Sequence, residues 1–187
     1  MNDIKRLILN NLNLRVFIPL LALALATTWW GLGWSKDHFE TLTGGTTFFD
    51  MQPTITPALL FEQLRTYSVE AISFYLRWVI FDYAWPFITF TTMLFITAWL
   101  LKFVAAKWSN WFWFFIASAY LTVLMDWGEN TGFIVLALYA GLYEPMLLAQ
   151  ITLGLHAAKL FFNLVFNLAF CVLAITAIVN RLSRPRT

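Results

Sequence analysis

The sequence predicts an all-α integral membrane protein: a four-helix bundle with an additional amphipathic helix in the outer segment between spans one and two. Two observations carry this prediction. Hydrophobic residues make up 60% of the chain and charged residues 12%, whereas a soluble domain is roughly half apolar and a quarter charged. Four apolar stretches, at about 16–34, 78–101, 111–139 and 146–179, divide residues 1–187, which we treat as a single transmembrane domain.

Each stretch reaches the ~20 residues with which a helix crosses ~30 Å of hydrocarbon. A backbone in lipid must satisfy its own hydrogen bonds, and no strand alternation interrupts these stretches, so helices are expected. Aromatic residues form 19% of the chain and include ten Trp. This excess suits a protein with two membrane interfaces, where amphipathic rings settle.

The distribution of Lys and Arg predicts a multi-pass protein of the cell inner (cytoplasmic) membrane with both termini in the cytoplasm. Basic residues lie before span one, between spans two and three, and after span four: Lys5, Arg6, Arg15, Lys102, Lys107, Arg181, Arg184 and Arg186. The outer segment 35–77 and the turn at Glu144 are acidic instead. A signal peptide cleaved after Ala26 is the alternative, but apolarity continues to Trp34 and favours an uncleaved span.

The outer segment contains its own helix. Gly44-Gly45 marks a turn, and Thr56-Pro57 has the cap and first-turn proline of a helix start. Apolar residues then recur at helical spacing, which predicts an amphipathic helix over 57–75 on the outer surface. This helix either covers the bundle or closes a cavity as a lid.

Several classes of function are disfavoured. A net charge of +2, with basic residues at the chain ends, gives no reason to expect a nucleic-acid partner. Cys171 is the single cysteine, and His38 and His156 are the two histidines, so disulfides within the chain, Cys-based zinc sites and H-E-x-x-H sites are excluded. No G-x-S-x-G or P-loop sequence occurs, and neither a metal nor a cofactor is predicted.

Ionisable and amide side chains inside the apolar spans are the candidate functional residues. They are Asp82 in span two; Asp126, Glu129 and Asn130 in span three; and His156, Lys159, Asn163 and Asn167 in span four. Helical spacing places each set on one face of its helix. Such groups are costly in hydrocarbon, so they usually face the bundle interior and have partners.

Depth along the helices brings these residues together. At ~1.5 Å rise per residue, six of them lie about 22–30 Å from the cytoplasmic edge, in the outer half of the membrane: Asp82, Asp126, Glu129, Asn130, Lys159 and Asn163. Trp30 of span one lies at a similar depth. The sequence therefore predicts a polar pocket that opens outward, with Trp30 in its wall.

The charges suggest roles. Lys159 pairs with Glu129 or Asp82, and the remaining acids bind a cation, use His156 or keep a proton. If the protein is an enzyme, Asp82 and Glu129 are the catalytic candidates. The ligand-binding candidates are Asp126, Asn130, Lys159, His156, Asn163 and Trp30. The alternative is that the polar groups only hold the helices together.

Two resemblances accompany this pattern. The D-x-x-E-N sequence at Asp126–Asn130, with Asp50-x-x-Pro53, Thr56-Pro57, Asp82-x-x-x-Pro86 and a single Lys159, resembles uncharacterised small bacterial four-span membrane proteins. That resemblance implies no established activity. Phe49–Gln52 (FDMQ), the stretch 82–87 and intramembrane acids beside Trp are similar to the sterol isomerase and sigma-2 receptor superfamily, which implies a membrane-embedded cavity for sterol-like molecules.

Three functions fit these features. The first is binding or transfer of a lipid-like or cationic amphiphilic small molecule, with membrane lipids as partners. The second is an isomerase-type acid/base enzyme acting on an apolar substrate. The third is an accessory subunit or assembly factor that forms a homo-oligomer or joins a membrane partner.

Overall fold

The computed structural model describes residues 14–104, 111–139 and 142–183. Lys5, Arg6, Lys107, Arg184 and Arg186 lie outside the described residues. The elements in chain order are α1 (Leu14–Ala26), a π-helical stretch (Thr27–Leu32), α2 (Gly33–Thr43), a 3-10 turn (Phe49–Met51), α3 (Pro57–Thr66), α4 (Val69–Leu100), a second 3-10 turn (Leu101–Phe103), α5 (Trp111–Leu138) and α6 (Met146–Leu182). The described ranges contain no strand, which confirms the predicted all-α fold.

Three helical stretches in the described ranges are long and apolar enough to cross a membrane: Phe17–Thr43, Val69–Phe103 and Met146–Leu182. α5 is not among them, although its 28 residues would extend ~42 Å at the usual helical rise. It carries three polar residues of the candidate site and packs between α4 and α6. The predicted crossing by α5 therefore stays a prediction.

The three long helices α4, α5 and α6 pack antiparallel to their neighbours. Asn130 of α5 contacts Asp82 of α4, whereas Tyr120 contacts Phe87, so the two helices run in opposite directions. α5 and α6 are related in the same way. α1 and α2 pack mainly along α4. This arrangement fits the predicted helical bundle.

The segment between α2 and α4 (residues 44–68), which we call the connecting segment, is anchored to the bundle by aromatic rings. Phe48 and Phe49 are completely buried. The Phe48 ring stacks on Trp78 with centroids 4.9 Å apart, and Phe49 meets Tyr75 edge-on at 5.0 Å. Because successive buried rings hold it on both sides, the 3-10 turn at Phe49–Met51 has a defined position against α4.

The predicted helix over 57–75 is correct at its start and wrong at its end. Thr56 caps α3 by accepting a hydrogen bond from the amide of Leu59 at 3.2 Å. The helix stops at Thr66, and Ser68 caps α4 by accepting from the amide of Ala71 at 3.1 Å. The serine cap satisfies the first amides of a new helix, which separates α3 from α4.

Two predicted span boundaries also shift. The helix of span one extends past residue 34 to Thr43 and ends at Gly44, whose φ of +71° suits glycine. α4 begins at Val69 rather than near residue 78. Both helices are therefore longer at the end that carries the connecting segment.

Candidate functional site

An amide–carboxylate contact joins α4 to α5. The side-chain amide of Asn130 donates to Asp82 Oδ2 at 3.0 Å and lies 3.3 Å from Asp126 Oδ2. All three side chains are buried. The i, i+4 spacing of Asp126 and Asn130 places both on one side of α5, as predicted, and the structure shows that Asn130 reaches α4 from that side.

A second set of contacts joins α5 to α6. Lys159 Nζ lies 2.6 Å from Glu129 Oε2 and 3.2 Å from Asp126 Oδ1. Glu129 Oε1 lies 2.8 Å from His156 Nδ1. The predicted pairing of Lys159 with Glu129 is confirmed, whereas the alternative with Asp82 is wrong, because Asp82 is bound by Asn130 and Lys159 takes Asp126 as its second partner.

These contacts form one polar network across three helices, which contains Asp82, Asn130, Asp126, Lys159, Glu129 and His156. Each member is at most 9% exposed. Burial of this many charged groups is costly, so each is expected to have a partner, and the network supplies partners for every carboxylate in it.

A cavity of about 430 Å³ lies beside the network, within the size range of small-molecule sites. Its polar end is formed by Asp50, Asp82, Asp126 and Lys159. The rest of the wall is mainly apolar and includes Leu32, Trp85, Phe90, Met93, Leu160 and Phe166. Leu160 is 42% exposed, so the cavity reaches the surface of the bundle that would face lipid.

Asp50 is a site residue that the prediction of the pocket missed. It lies in the 3-10 turn of the connecting segment, held by the buried rings of Phe48 and Phe49, and it lines the polar end of the cavity. Burial raises the pKa of Asp50, the positive charge of Lys159 opposes this, and the negative charge of Glu129 adds to it. The available signal in the sequence was an acid directly after two aromatic residues, Phe48 and Phe49, in the D-x-x-P pattern that ends at Pro53.

The structure separates the predicted site residues into two groups. Asp82, Asp126, Lys159 and Asn163 line the cavity, as does Asn167, whose amide donates to Asn163 Oδ1 at 2.7 Å. Glu129, Asn130 and His156 do not line it, but they belong to the polar network that supports the lining acids and Lys159.

Trp30 is misplaced by the prediction. It is 78% exposed and does not line the cavity. The side that faces α4 carries Thr28, which accepts a hydrogen bond from Trp85 Nε1 at 2.9 Å, and Leu32, which lines the cavity. Trp30 lies halfway between these two positions, so it points to the opposite side of the helix. Trp85 is the tryptophan in the cavity wall.

α3 does not act as a lid over this cavity. Its buried residues Leu60, Phe61 and Leu64 pack into the aromatic cluster that covers the end of the bundle. The connecting segment reaches the cavity through Asp50 and Met51 instead. The covering role considered for the outer helix therefore fits its position better than the lid.

The buried polar atoms without a hydrogen-bond partner among the described residues include the Tyr75 hydroxyl and His156 Nε2. Tyr75 is 1% exposed, and its phenol lies close enough to the carboxylates of the site to interact with them electrostatically, most strongly with Asp50 and Glu129. Buried polar groups without partners are uncommon and call for an explanation.

In the described part of the chain, no group of three or more His, Cys, Asp or Glu side chains is arranged to hold a metal ion. The network and the cavity instead combine buried acids, one lysine and an apolar wall. Such a site can hold a positive charge, orient an apolar molecule, or move a proton between carboxylates.

Comparisons with known proteins do not assign this chain to a family. No protein-family model, curated protein or solved structure matches the chain. The two sequence resemblances therefore stay predictions, and neither supports a function for this protein.

Proposed function

We propose that the cavity binds or transfers an amphiphilic small molecule whose cationic group is held by Asp50, Asp82 and Asp126. The observation that carries this proposal is the asymmetry of the cavity, because carboxylates outnumber cations at one end and the remaining wall is largely apolar. The polar end would receive the charged group, and the space between α4 and α6 would receive the apolar body.

The charge balance favours a cationic guest. Among the described residues, three carboxylates line the polar end and Lys159 is the one lining cation, which is already shared with Glu129. Opposite charges ~4 Å apart attract by about 4 kcal/mol at an effective dielectric constant near 20. Trp85 lines the same cavity and offers an aromatic face to a cation.

The apolar wall restricts the shape of the ligand but contributes little to its binding free energy. A molecule that enters from the bilayer leaves lipid tails that are about as apolar as Leu160 or Phe90, so little hydrophobic free energy is gained. The difference in affinity between ligands should therefore follow the charge of the headgroup more closely than the length of the chain.

A matched pair of probes tests this proposal. The purified protein in neutral lipid nanodiscs is titrated with octyltrimethylammonium and with octyl sulfate, and binding is followed by tryptophan fluorescence. We expect saturable binding of the cation and none of the anion. Asp82→Asn should weaken binding about tenfold or more, corresponding to roughly 1.4 kcal/mol.

Glu62→Gln provides the control, because Glu62 is an exposed acid on α3 and does not line the cavity. This variant should bind like the wild type. Equal binding of both probes, or binding of neither, would contradict a cation site. Binding of neither would favour the structural alternative, in which the polar groups only hold the helices together.

A second function, isomerase-type acid/base catalysis, is favoured by one observation. Asp82 and Asp126 both line the cavity, and one Asn130 amide lies within hydrogen-bonding distance of both. Glu129 does not line the cavity, so Asp82 is the better of the two catalytic candidates. Incubation of membrane-lipid extracts with wild type and Asp82→Asn, followed by mass spectrometry, would show a wild-type-specific product if this function holds.

A further inference from the structure

We propose that protons and the cationic group of the ligand compete for the same carboxylates, so that binding releases protons from the site. This inference rests on the proposed function and adds a coupling to it. It also predicts how the affinity of the cavity depends on pH.

The first support is a count of the charges that face the polar end. The connecting segment contributes Asp50, α4 contributes Tyr75 and Asp82, α5 contributes Asp126 and Glu129, and α6 contributes His156 and Lys159. The π-helical stretch contributes the apolar Leu32. Four of these groups are carboxylates. Lys159 balances the charge of one and a protonated His156 would balance a second, which leaves two carboxylates without a balancing cation.

An uncompensated carboxylate inside a membrane protein is costly. The two carboxylates that lack a balancing cation must therefore either hold a proton or face a positive charge. A bound cationic group supplies that positive charge and favours the ionised form of the carboxylate, which then releases its proton. Competition between proton and ligand follows from this exchange.

The second support is independent of the charge count. The Tyr75 hydroxyl and His156 Nε2 are buried, at 1% and 6% residue exposure, and neither has a hydrogen-bond partner among the described residues. Asp50 interacts electrostatically with both Tyr75 and His156. The Tyr75 hydroxyl can donate or accept a hydrogen bond, and His156 Nε2 donates or accepts according to the protonation of the ring, so neither atom is committed to one protonation state of the acids.

Asp50 has the position best suited to release a proton. It is only partly buried, it lines the cavity from the connecting segment, and burial raises its pKa. Asp82 and Asp126 lie deeper and share the Asn130 amide. We therefore expect Asp50 to contribute to the released protons and Asp82 to contribute to the affinity.

Reciprocity between the two equilibria makes the coupling measurable. If one proton leaves for each ligand bound, the dissociation constant falls about tenfold for each unit rise in pH. Octyltrimethylammonium carries a fixed charge and has no proton of its own. Any proton that appears when it binds must therefore come from the protein.

The experiment adds this probe to the full-length protein in weakly buffered nanodiscs, with a pH-indicator dye, from about pH 5 to about pH 8. We expect the medium to acidify in proportion to binding and the dissociation constant to fall as pH rises. Asp50→Asn should bind the probe more weakly and release fewer protons for each probe molecule bound, and Glu62→Gln should match the wild type.

The outcomes separate this inference from the proposed function. Saturable binding without proton release, and with a dissociation constant independent of pH, would overturn the exchange and leave the cation site standing. Failure of the wild type to bind would overturn both. If Asp82→Asn does not fold, Asp50→Asn on the connecting segment still decides the question, since unchanged proton release would exclude Asp50 as a source.

Discussion

Lys159 pairs with two carboxylates of α5 at once, so its substitution should destabilise the protein more than substitution of either acid. It lies 2.6 Å from Glu129 and 3.2 Å from Asp126. Lys159→Met leaves both acids without a cation, so we expect destabilisation of about 3–5 kcal/mol. Glu129→Gln keeps the Lys159–Asp126 contact and should cost less. Thermal unfolding temperatures in a neutral detergent should place Lys159→Met below Glu129→Gln, and both below the wild type.

The double variant tests whether Glu129 and Lys159 act as a pair. Glu129→Gln with Lys159→Met should unfold at a higher temperature than Lys159→Met alone, but below the wild type because Asp126 has also lost its cation. Lys36→Met is the control, because its partner Glu40 lies 2.8 Å away on an exposed surface. Unfolding of all the variants at the wild-type temperature would contradict a structural role for the pair.

Single residues show where prediction from the sequence ends. The acids and Lys159 were predictable because a charge inside an apolar run has few stable positions other than the bundle interior. Asp50 was not, because it lies in a non-helical segment whose position depends on Phe48 and Phe49 packing against α4. Trp30 was misplaced because depth alone does not say which side of a helix a residue takes.

At the scale of elements, α5 and α6 approach closely at Gly132. A methyl group added there would lie 2.0 Å from Thr152 Oγ1 and 2.8 Å from its Cγ2. This crossing lies one turn from the Glu129–His156 contact. Gly132→Ala should therefore force the helices apart and destabilise the protein by about 1–3 kcal/mol, and it should also weaken probe binding.

A compensating change and a control make this prediction specific. Thr152→Ala in the Gly132→Ala background should recover part of the stability, because the nearest side-chain atoms are removed. Gly154→Ala on the same helix as Thr152 should be neutral, since nothing lies within 4 Å of the added methyl. Unfolding of Gly132→Ala at the wild-type temperature would show that the interface yields without cost.

The helices themselves were largely predictable, and their ends were not. Apolar length fixes where a span is needed, and Thr56-Pro57 marked the start of α3 correctly. Ser68 is an equally good cap, but the apolar spacing continues past it and favoured one longer helix. Gly128 and Gly132 form a G-x-x-x-G pattern in α5, a recognised signal of close helix packing that could have located the contact with α6.

At the scale of the whole molecule, contacts at both ends place the helix termini. Arg65 forms an ion pair with Glu144, so the connecting segment and the turn before α6 lie at the same end. At the other end Asn180 donates to the carbonyl of Phe103 at 3.3 Å, and Arg181 lies over the Phe103 ring. The predicted depths place the candidate site toward the first end.

Four crossings with both termini in the cytoplasm stay a prediction, and α5 decides it, because α5 is not among the three described helices that are long and apolar enough to span. Replacement of Cys171, the single native cysteine, allows single cysteines to be introduced at Glu62, Lys102 and Ser183. Right-side-out vesicles are then treated with a thiol reagent that does not cross membranes. We expect labelling at position 62 alone, with positions 102 and 183 labelled only after the vesicles are opened.

Position 183 decides the role of α5. If α5 lies within the membrane without crossing it, α6 must cross in the opposite direction, and Ser183→Cys would be labelled in closed vesicles while Lys102→Cys stays protected. That result is hard to reconcile with the contact between Asn180 and Phe103, which brings the ends of α4 and α6 together. If α4 and α6 both span, ends that meet on one side require an additional crossing between them, and α5 is the described helix that runs antiparallel to both.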